Sequence, residues 1–420
     1  MKIAISKDFE KNKYWIIALY LNITLITRFV ASAYSIIARS TFKFSSILQW
    51  VLILPWLIYF FAHVLSKGVK IRQLLVFVVW GFLMVYTFFV TRPRDFLMRQ
   101  AFVEGISHIV IPAIMIQEVT EADKMFDALE KYVGVCTVTC ILQFFSPSLM
   151  RNAYYSFSYL TFIPSAICFA HVLQGRFSRH LIPLIIMAVA NLLYGGRGFF
   201  LCMAVFLLIY SFTYFKSNKN VLAIVTLLAI SILVFSLFGD AIISLITGIG
   251  ISSRTISFAT GELNDNSRIH IWTSLLSEFI KEPLKIRGLL SDREYLAIVF
   301  QRYSEQAIAG WYSHNFAVEI LFEFGIVGVF ILLFAFRKYF GINKELKKRK
   351  NEKEIVLFYI VSAFFFAKMS ISSSYLIDLT TGIIIGFMIA YKSNILYTEK
   401  YYSRTNTLSD NNAIRSESER

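Results

Sequence analysis

The sequence has few charged residues and many long apolar runs. Over 420 residues, charged side chains make up 16% and hydrophobic ones 57%, whereas average globular domains hold about 25% charged and about 45–50% apolar residues. This composition excludes a cytosolic enzyme with a lipid-anchored tail, a disulfide-stapled secreted domain and a single-span receptor. The sequence instead predicts an all-α polytopic membrane protein.

Cysteine and metal-ligand motifs are also scarce. The four cysteines lie within apolar runs, and no CxxC pair occurs. Free cysteine behaves as a small hydrophobe in such places, so neither a disulfide framework nor a thiolate metal site is indicated. The six histidines form no HExxH and the acidic residues form no DxD. We therefore expect no protein-held metal and no cofactor.

Apolar windows predict about 12 transmembrane helices, because a membrane span takes about 20 residues. The first window ends in Ala31-Ser32-Ala33, which resembles a signal-peptide cleavage site. Acidic residues in the leader and Arg28 before that site favour an uncleaved first span. The windows fall at about 14–36, 45–65, 73–90, 98–117, 128–146, 155–173, 181–195, 199–215, 221–238, 315–336, 355–372 and 376–391.

Basic residues predict which loops face the cytoplasm. The loops that this alternation places inside carry roughly three times as many Lys and Arg as the short outer loops. Both termini are then cytoplasmic, and the largest loop is extracytoplasmic. The net charge of +15 is therefore mainly topological, so we expect no nucleic-acid partner. The basic run Lys344–Glu354 either anchors a loop against anionic lipid or is simply solvated.

Four regions follow from this topology. Residues 1–238 form an N-terminal membrane bundle of about nine spans, and residues 239–313 form the large periplasmic or extracellular loop. Residues 314–392 hold about three further spans. Residues 393–420 form a cytoplasmic tail, whose polar end is expected to be disordered.

The large loop contains a predicted amphipathic helix that begins near Arg268. Loops of this length usually carry function. Asn266 or Ser267 is a competent N-cap, and Pro283 marks the end of the helix. A cation in the first turn opposes the helix dipole unless an anion docks there, so Arg268 is either an anion-binding residue or an ordinary surface arginine. The apolar face, expected against the membrane surface or the bundle mouth, comprises Ile269, Trp272, Leu276, Phe279 and Ile280.

A second arginine stands in Gly195-Gly196-Arg197-Gly198, at the outer junction between two predicted spans. The glycines leave the guanidinium of Arg197 accessible to a bulky anion. Arginine stays charged and binds phosphate oxygens bidentately. The alternative is a tight glycine-rich turn with an interfacial anchor.

Polar residues also open the span that follows the large loop. Asn315, Glu319 and Glu323 recur every four residues and share one helical face. Carboxylates within an apolar span are costly and mark a functional site by default. His314 lies just above them, where an imidazole can act as a base. Alternatively, either glutamate pairs with a cation such as Arg28 or Lys368, and His314 caps the helix. A further alternative is that Lys368 pairs with Asp378 across the short outer hairpin.

Together these features resemble the O-antigen polymerase and O-antigen ligase superfamily. The resemblance rests on the many-span profile, the arginine-glycine pair, Asn-x-Arg-x3-Trp in the loop and SHNxxxExxxExGxxG at the next span. It is most specific between Tyr194 and Gly328. Departures are Val318 in place of a common leucine, Gly195-Gly196 in place of a serine-rich lead, and Lys285-Ile286-Arg287-Gly288 in place of a more glycine-rich turn.

The resemblance implies roles for six residues. Arg197 and Arg268 would bind the diphosphate, and His314 would be the catalytic base. Asn315 and Glu319 would contact substrate, orienting the base or the acceptor, and Arg287 would be an additional phosphate contact.

The resemblance also implies a membrane glycosyltransferase of the bacterial plasma membrane. Its substrates would be oligosaccharide repeat units linked to undecaprenyl diphosphate, joined into O-antigen or capsule by an inverting, metal-independent transfer. Membrane lipids and a chain-length regulator are the expected partners. A ligase that moves glycan to lipid A core is an alternative, and a lipid-linked oligosaccharide flippase is an alternative of another class.

Overall fold

The computed structural model describes residues 2–38, 45–90, 93–145, 154–193, 197–214, 266–349 and 351–390. All regular secondary structure in these ranges is helical, as the sequence predicts. The first half of the chain contains α1 (Lys2–Ala38), α2 (Ser45–Lys67), α3 (Ile71–Val90), α4 (Asp95–Glu104), a π-helical turn (Gly105–Val110), α5 (Ile111–Gln117), α6 (Ala122–Glu130), α7 (Tyr132–Phe144), α8 (Tyr154–Leu160), α9 (Phe162–Leu173) and α10 (Phe177–Leu193). The second half contains α11 (Arg197–Tyr214), α12 (Asn266–Lys281), α13 (Ser291–Val299), α14 (Glu305–Gly310), α15 (Phe316–Phe324), α16 (Ile326–Arg349), α17 (Glu352–Ile371) and α18 (Leu379–Ala390).

Within the described residues, six helices are long and apolar enough to cross a membrane: Asn12–Ala38, Ile47–Lys67, Ile71–Val90, Asp95–Gln117, Ile326–Lys348 and Glu352–Ile371. Four more of the predicted windows coincide with shorter apolar helices: Phe162–Leu173, Phe177–Leu193, Gly198–Ser211 and Leu379–Ala390. The window at 128–146 is interrupted between α6 and α7 at Lys131, and the window at 221–238 lies outside the described residues. The membrane character of the chain is therefore supported, and the number of 12 spans stays a prediction.

The apolar residues of α2 and α3 explain why these helices suit a lipid environment. Val51, Ile58, Val78 and Phe82 are all more than half exposed. Such a continuous apolar surface is unfavourable in water and indicates a face that contacts lipid. The inner faces of α1, α7, α9 and α17 instead pack together in one large core.

The predicted span at 315–336 is two helices rather than one. α15 ends at Phe324, and Gly325 follows with φ of +57° before α16 starts at Ile326. A Cβ on Gly325 would lie 2.6 Å from the carbonyl oxygen of Pro283, which accepts a hydrogen bond from the Ile326 amide at 2.7 Å. The apolar run hid this break, because glycine inside an apolar pattern is tolerated in a helix. Glu319 and Glu323 therefore precede the candidate span rather than lying within it.

The helix predicted after Arg268 is present as α12, and its buried face coincides only in part with the predicted one. Ile271 and Leu275 are buried, whereas Ile269 and Ile280 are 56% and 72% exposed. Ile271 and Leu275 pack with Leu296 of α13 and with Val318 and Phe322 of α15. The prediction was correct for Trp272 and Leu276, which pack against this cluster. It missed Ile271 and Leu275, because the local pattern does not reveal their partners on α13 and α15.

Candidate functional site

Asn315 sets the start of α15. It has extended backbone angles, and its side-chain Oδ1 accepts hydrogen bonds from the amides of Ala317 at 3.0 Å and Val318 at 3.2 Å. Asparagine is among the best N-cap residues because these amides have no partner inside the helix. The cap is therefore Asn315 and not His314. The side-chain Nδ2 of Asn315 donates to the carbonyl of Ser370 at 3.1 Å.

His314 precedes this cap in a left-handed conformation. Its φ is +54°, which is uncommon for residues other than glycine, although histidine is among those enriched there. The imidazole is half-buried, and its ring centroid lies 4.0 Å from that of Tyr312. Backbone strain of this kind persists only where the surroundings impose it, and it clusters at functional sites.

Hydrogen bonds to the amide and carbonyl of Ser313 hold the loop that carries His314. The carbonyl oxygen of Ser313 accepts a hydrogen bond from the indole Nε1 of Trp272 at 2.7 Å. The Ser313 amide donates to Oδ2 of Asp292 at 3.0 Å. α12 and α13 therefore fix the loop from two sides, and the histidine projects from a fixed backbone.

Arg268 lies on α12, the helix that contacts the loop of His314 through Trp272. It lies one helical turn before Trp272, so the two residues share a helix face. Because Trp272 contacts Ser313, this face is turned towards the loop of His314. Arg268 is half-buried and follows the first residues of the helix, where free N–H groups attract anions.

Arg197 is the first residue of α11. Its side chain lies outside the described part of the structure. The neighbouring Gly198 packs so closely that a Cβ would lie 2.5 Å from Cζ of Tyr159. The ring of Tyr159 lies 4.7 Å from Nζ of Lys368, which forms an ion pair of 2.6 Å with Asp378. The expected pairing of Lys368 with Asp378 is therefore present, and Gly198 has a packing role.

The acidic face of α15 contacts the segment 370–378, which we call the connector. Glu319 is fully buried and accepts hydrogen bonds from Oγ of Ser374 at 2.5 Å and from the amide of Tyr375 at 3.3 Å. Glu323 is equally buried and accepts from the hydroxyl of Tyr375 and from the amide of Leu290 at 2.6 Å. The predicted shared face exists, and its partners are hydroxyls and amides of the connector and the loop before α13.

A third buried carboxylate, Asp292, completes this acidic group. Oxygen atoms of Asp292, Glu319 and Glu323 lie within 4.8 Å of one another. Burial raises the pKa of the Asp292 carboxyl, while the adjacent Arg293 opposes that shift. Arg293 is fully buried, donates to the carbonyl of Ala309 at 3.2 Å, and lies 5.5 Å from the ring centroid of Tyr312.

Asp292 and Arg293 are the residues that the sequence did not single out. They contact the amide of Ser313 and the ring of Tyr312, on the two sides of the loop that carries His314. Their only local signal is an Asp-Arg pair in a short helix, which is common on protein surfaces. Nothing in the spacing indicates that both side chains are buried.

Arg287 is engaged with neighbouring groups of the same loop. Its Nη2 lies 3.2 Å from Oε2 of Glu282 and donates to the carbonyl of Glu278 at 3.1 Å. Its amide donates to the carbonyl of Glu323 at 2.7 Å. Arg287 thus joins the end of α12 to α15, and its additional phosphate contact stays a prediction.

The comparisons with known proteins concern the family of the chain. Residues 182–333 match the family model described as O-antigen ligase. No curated protein and no solved structure gives a significant match to the chain. The matched family comprises membrane glycosyltransferase-like enzymes of polymerase and ligase type. The resemblance predicted from the motifs to the O-antigen polymerase and ligase superfamily is therefore confirmed, and the match contains every predicted site residue together with Asp292 and Arg293.

Proposed function

We propose that the protein is a polysaccharide polymerase of the bacterial plasma membrane. It transfers a glycan from an undecaprenyl-diphosphate donor to a sugar hydroxyl of a lipid-linked acceptor, on the outer face of the membrane. The product is O-antigen or capsule. The observation that carries this proposal is the fixed position of His314, whose loop is hydrogen-bonded to α12, the helix that also carries Arg268.

The chemistry follows from the charge that develops on the donor. The bond between the anomeric carbon and the diphosphate breaks as the acceptor hydroxyl oxygen attacks from the opposite face, so the anomeric centre inverts. Arg197 and Arg268 stabilise the departing diphosphate, and removing one preorganised donor of this kind typically costs about 2.7–4 kcal/mol. His314 takes the proton of the acceptor hydroxyl, a role worth on the order of 10²–10⁴ in rate.

Asn315 and Glu319 support the transfer by positioning. Asn315 is both the cap of α15 and a donor to the carbonyl of Ser370, and Glu319 joins α15 to Ser374. These contacts keep the loop of His314 at a constant distance from the connector. Asp292 and Arg293 have the same effect from the side of α13.

An apolar cavity beside α15 supports a lipid-linked substrate. Its volume is about 600 Å³, within the roughly 300–1,000 Å³ typical of ligand pockets. It borders the face of α15 next to the acidic group, since Tyr375, which donates to Glu323, also lines it, and it is large enough for part of a polyprenyl chain. Its lining includes Val79, Phe82, Ile320, Phe324, Ile331 and Met388.

The proposal is tested by replacing Arg197, Arg268 and His314 singly with alanine. Each variant is assayed for glycan chain length in cells at matched membrane abundance. We expect loss of polymerisation in all three. The matched controls are His270→Ala, an exposed histidine on α12, and Arg302→Ala, an exposed arginine after α13; both should retain near-normal chains. Near-normal chain length in all three test variants would contradict the proposal.

A ligase is the second candidate, because the matched family model carries that description. Deletion of the gene separates the candidates. A single repeat unit left on the carrier or core indicates a polymerase, and full-length glycan left on the carrier indicates a ligase. Substrate trapped on the cytoplasmic face would instead indicate a flippase.

A further inference from the structure

A glutamate and two histidines lie close together where α6 and α9 end and α10 begins. Glu130 is the last residue of α6, His171 lies in the last turn of α9, and His180 lies in the first turn of α10. Nε2 of His171 is 3.3 Å and Nε2 of His180 is 3.7 Å from the same oxygen, Oε1 of Glu130. By the expected topology, this end of the bundle faces the cytoplasm, away from His314.

His171 has unmet hydrogen-bonding capacity in this cluster. It is 4% exposed, and neither ring nitrogen has a hydrogen-bond partner among the described residues. Buried polar atoms are nearly always satisfied, and an exception calls for an explanation, of which a bound ion is one. The Nδ1 atom of His180 is likewise buried without such a partner. The two imidazoles therefore lie close to Glu130, but three of their four ring nitrogens are buried without a hydrogen-bond partner in the described part of the chain.

We propose that Glu130, His171 and His180 form a binding site for a divalent transition metal of the zinc class, which joins the ends of α6, α9 and α10. Imidazole nitrogen and carboxylate oxygen are both zinc ligands, at about 2.0–2.2 Å from the ion, so neighbouring ligand atoms in a tetrahedral site lie about 3.3–3.5 Å apart. The two distances to Glu130 are close to this value. Three protein ligands leave a fourth position for water or a small anion.

The surroundings favour a transition metal over magnesium or calcium. Arg176, Arg179 and Lys353 act electrostatically on the imidazoles, and their positive charge opposes all divalent cations alike, so the preference comes from the ligand atoms. Nitrogen ligands suit zinc and its neighbours instead. The two rings are stacked, with centroids 4.2 Å apart and planes 23° apart, so binding requires one imidazole to turn about its side-chain torsions.

The sequence alone does not indicate this site. His171 and His180 are separated by the turn between α9 and α10, and Glu130 comes from an earlier helix. No metal motif has this spacing, so the expectation of no protein-held metal concerned local patterns only. The site is separate from the proposed transfer reaction, which uses no metal, so its test does not depend on that function.

Cobalt titration of the full-length protein, purified in detergent and freed of any histidine tag, tests the site. Co²⁺ replaces zinc and gives visible absorption in a tetrahedral site. We expect one Co²⁺ per chain, displaced by Zn²⁺. His171→Gln and Glu130→Gln should weaken binding by more than about 10-fold, since loss of an outer-shell partner alone reaches that size. The control is His63→Gln, which removes a histidine that is also 4% exposed and whose ring nitrogens also have no hydrogen-bond partner in the described part of the chain.

A ligand-conserving variant guards against effects of misfolding. His180→Cys keeps a metal ligand, because thiolate also binds zinc and cobalt. It should retain binding and add a thiolate-to-cobalt charge-transfer band. The proposal is overturned if the wild-type protein binds no Co²⁺, or if monodisperse His171→Gln and Glu130→Gln proteins bind it as tightly as the wild type.

Discussion

The indole nitrogen of Trp272 lies 2.7 Å from the carbonyl oxygen of Ser313, which joins the helix of Arg268 directly to the residue before His314. Trp272→Phe keeps an aromatic ring and removes this hydrogen bond. A net hydrogen bond contributes about 1 kcal/mol, so we expect roughly a fivefold loss of polymerisation rate at unchanged abundance. The control is Trp56→Phe, on the exposed face of α2. An unchanged rate for Trp272→Phe would show that the bond does not position the loop.

Asp292 gives a prediction about stability and pH. Burial raises the pKa of its carboxyl in the folded protein, so the folded state favours the protonated form. The contribution of Asp292 to the free energy of unfolding is fully present below the pKa of the unfolded state. It is lost as the pH rises through the pKa of the folded state. Asp292→Asn removes this titration. We expect the thermal stability of the variant in detergent to fall less than that of the wild type as the pH rises from about 4, near the ordinary value for aspartate. Parallel curves for the two proteins would refute this, and Glu305→Gln, at an exposed position, is the control.

Two substitutions of Asn315 separate its capping of α15 from its hydrogen bond to Ser370. Asn315→Ala removes the N-cap of α15, which typically costs about 0.5–2 kcal/mol. Asn315→Asp keeps an oxygen for the amides of Ala317 and Val318, and it replaces the donor to the Ser370 carbonyl by a charged oxygen. We expect a lower melting temperature for the alanine variant than for the aspartate variant. Equal melting temperatures would mean that the cap contributes little.

Gly325 is expected to tolerate no side chain. Its φ is +57°, and an added Cβ would lie 2.6 Å and 2.7 Å from the carbonyl oxygens of Pro283 and Lys285. Gly325→Ala should therefore reduce membrane abundance several-fold. Gly341→Ala in α16 is the matched control, because nothing lies within 4 Å of its added Cβ and alanine favours helix by about 1 kcal/mol. Abundance of Gly325→Ala equal to that of the control would contradict the geometry.

The sequence predicts helices well here because an apolar run of about 20 residues is a strong local signal. It predicts helix ends less well. The break at Gly325 depends on Pro283, 42 positions away in the chain, whose carbonyl accepts from Ile326. The burial of Ile271 and Leu275 on α12 was missed for the same reason, since their partners lie on α13 and α15.

The candidate site shows the same limit. His314, Asn315 and Glu319 were found because they form one short motif. Asp292 contacts Ser313 across 21 positions, and Ser374 contacts Glu319 across 55. Pairings over such separations leave no periodic pattern in a single sequence. The motif thus identifies the side chains of interest and omits the residues that hold them.

The connector has a consequence for where the functional unit ends. The family match stops at residue 333, but the polar face of α15 is closed by Ser370, Ser374 and Tyr375. A fragment trimmed to the matched segment would deprive Glu319 of its donors Ser374 and Tyr375, and Glu323 of the hydroxyl of Tyr375. A piece of this chain that keeps its acidic face satisfied therefore extends beyond the recognised domain, at least through Tyr375.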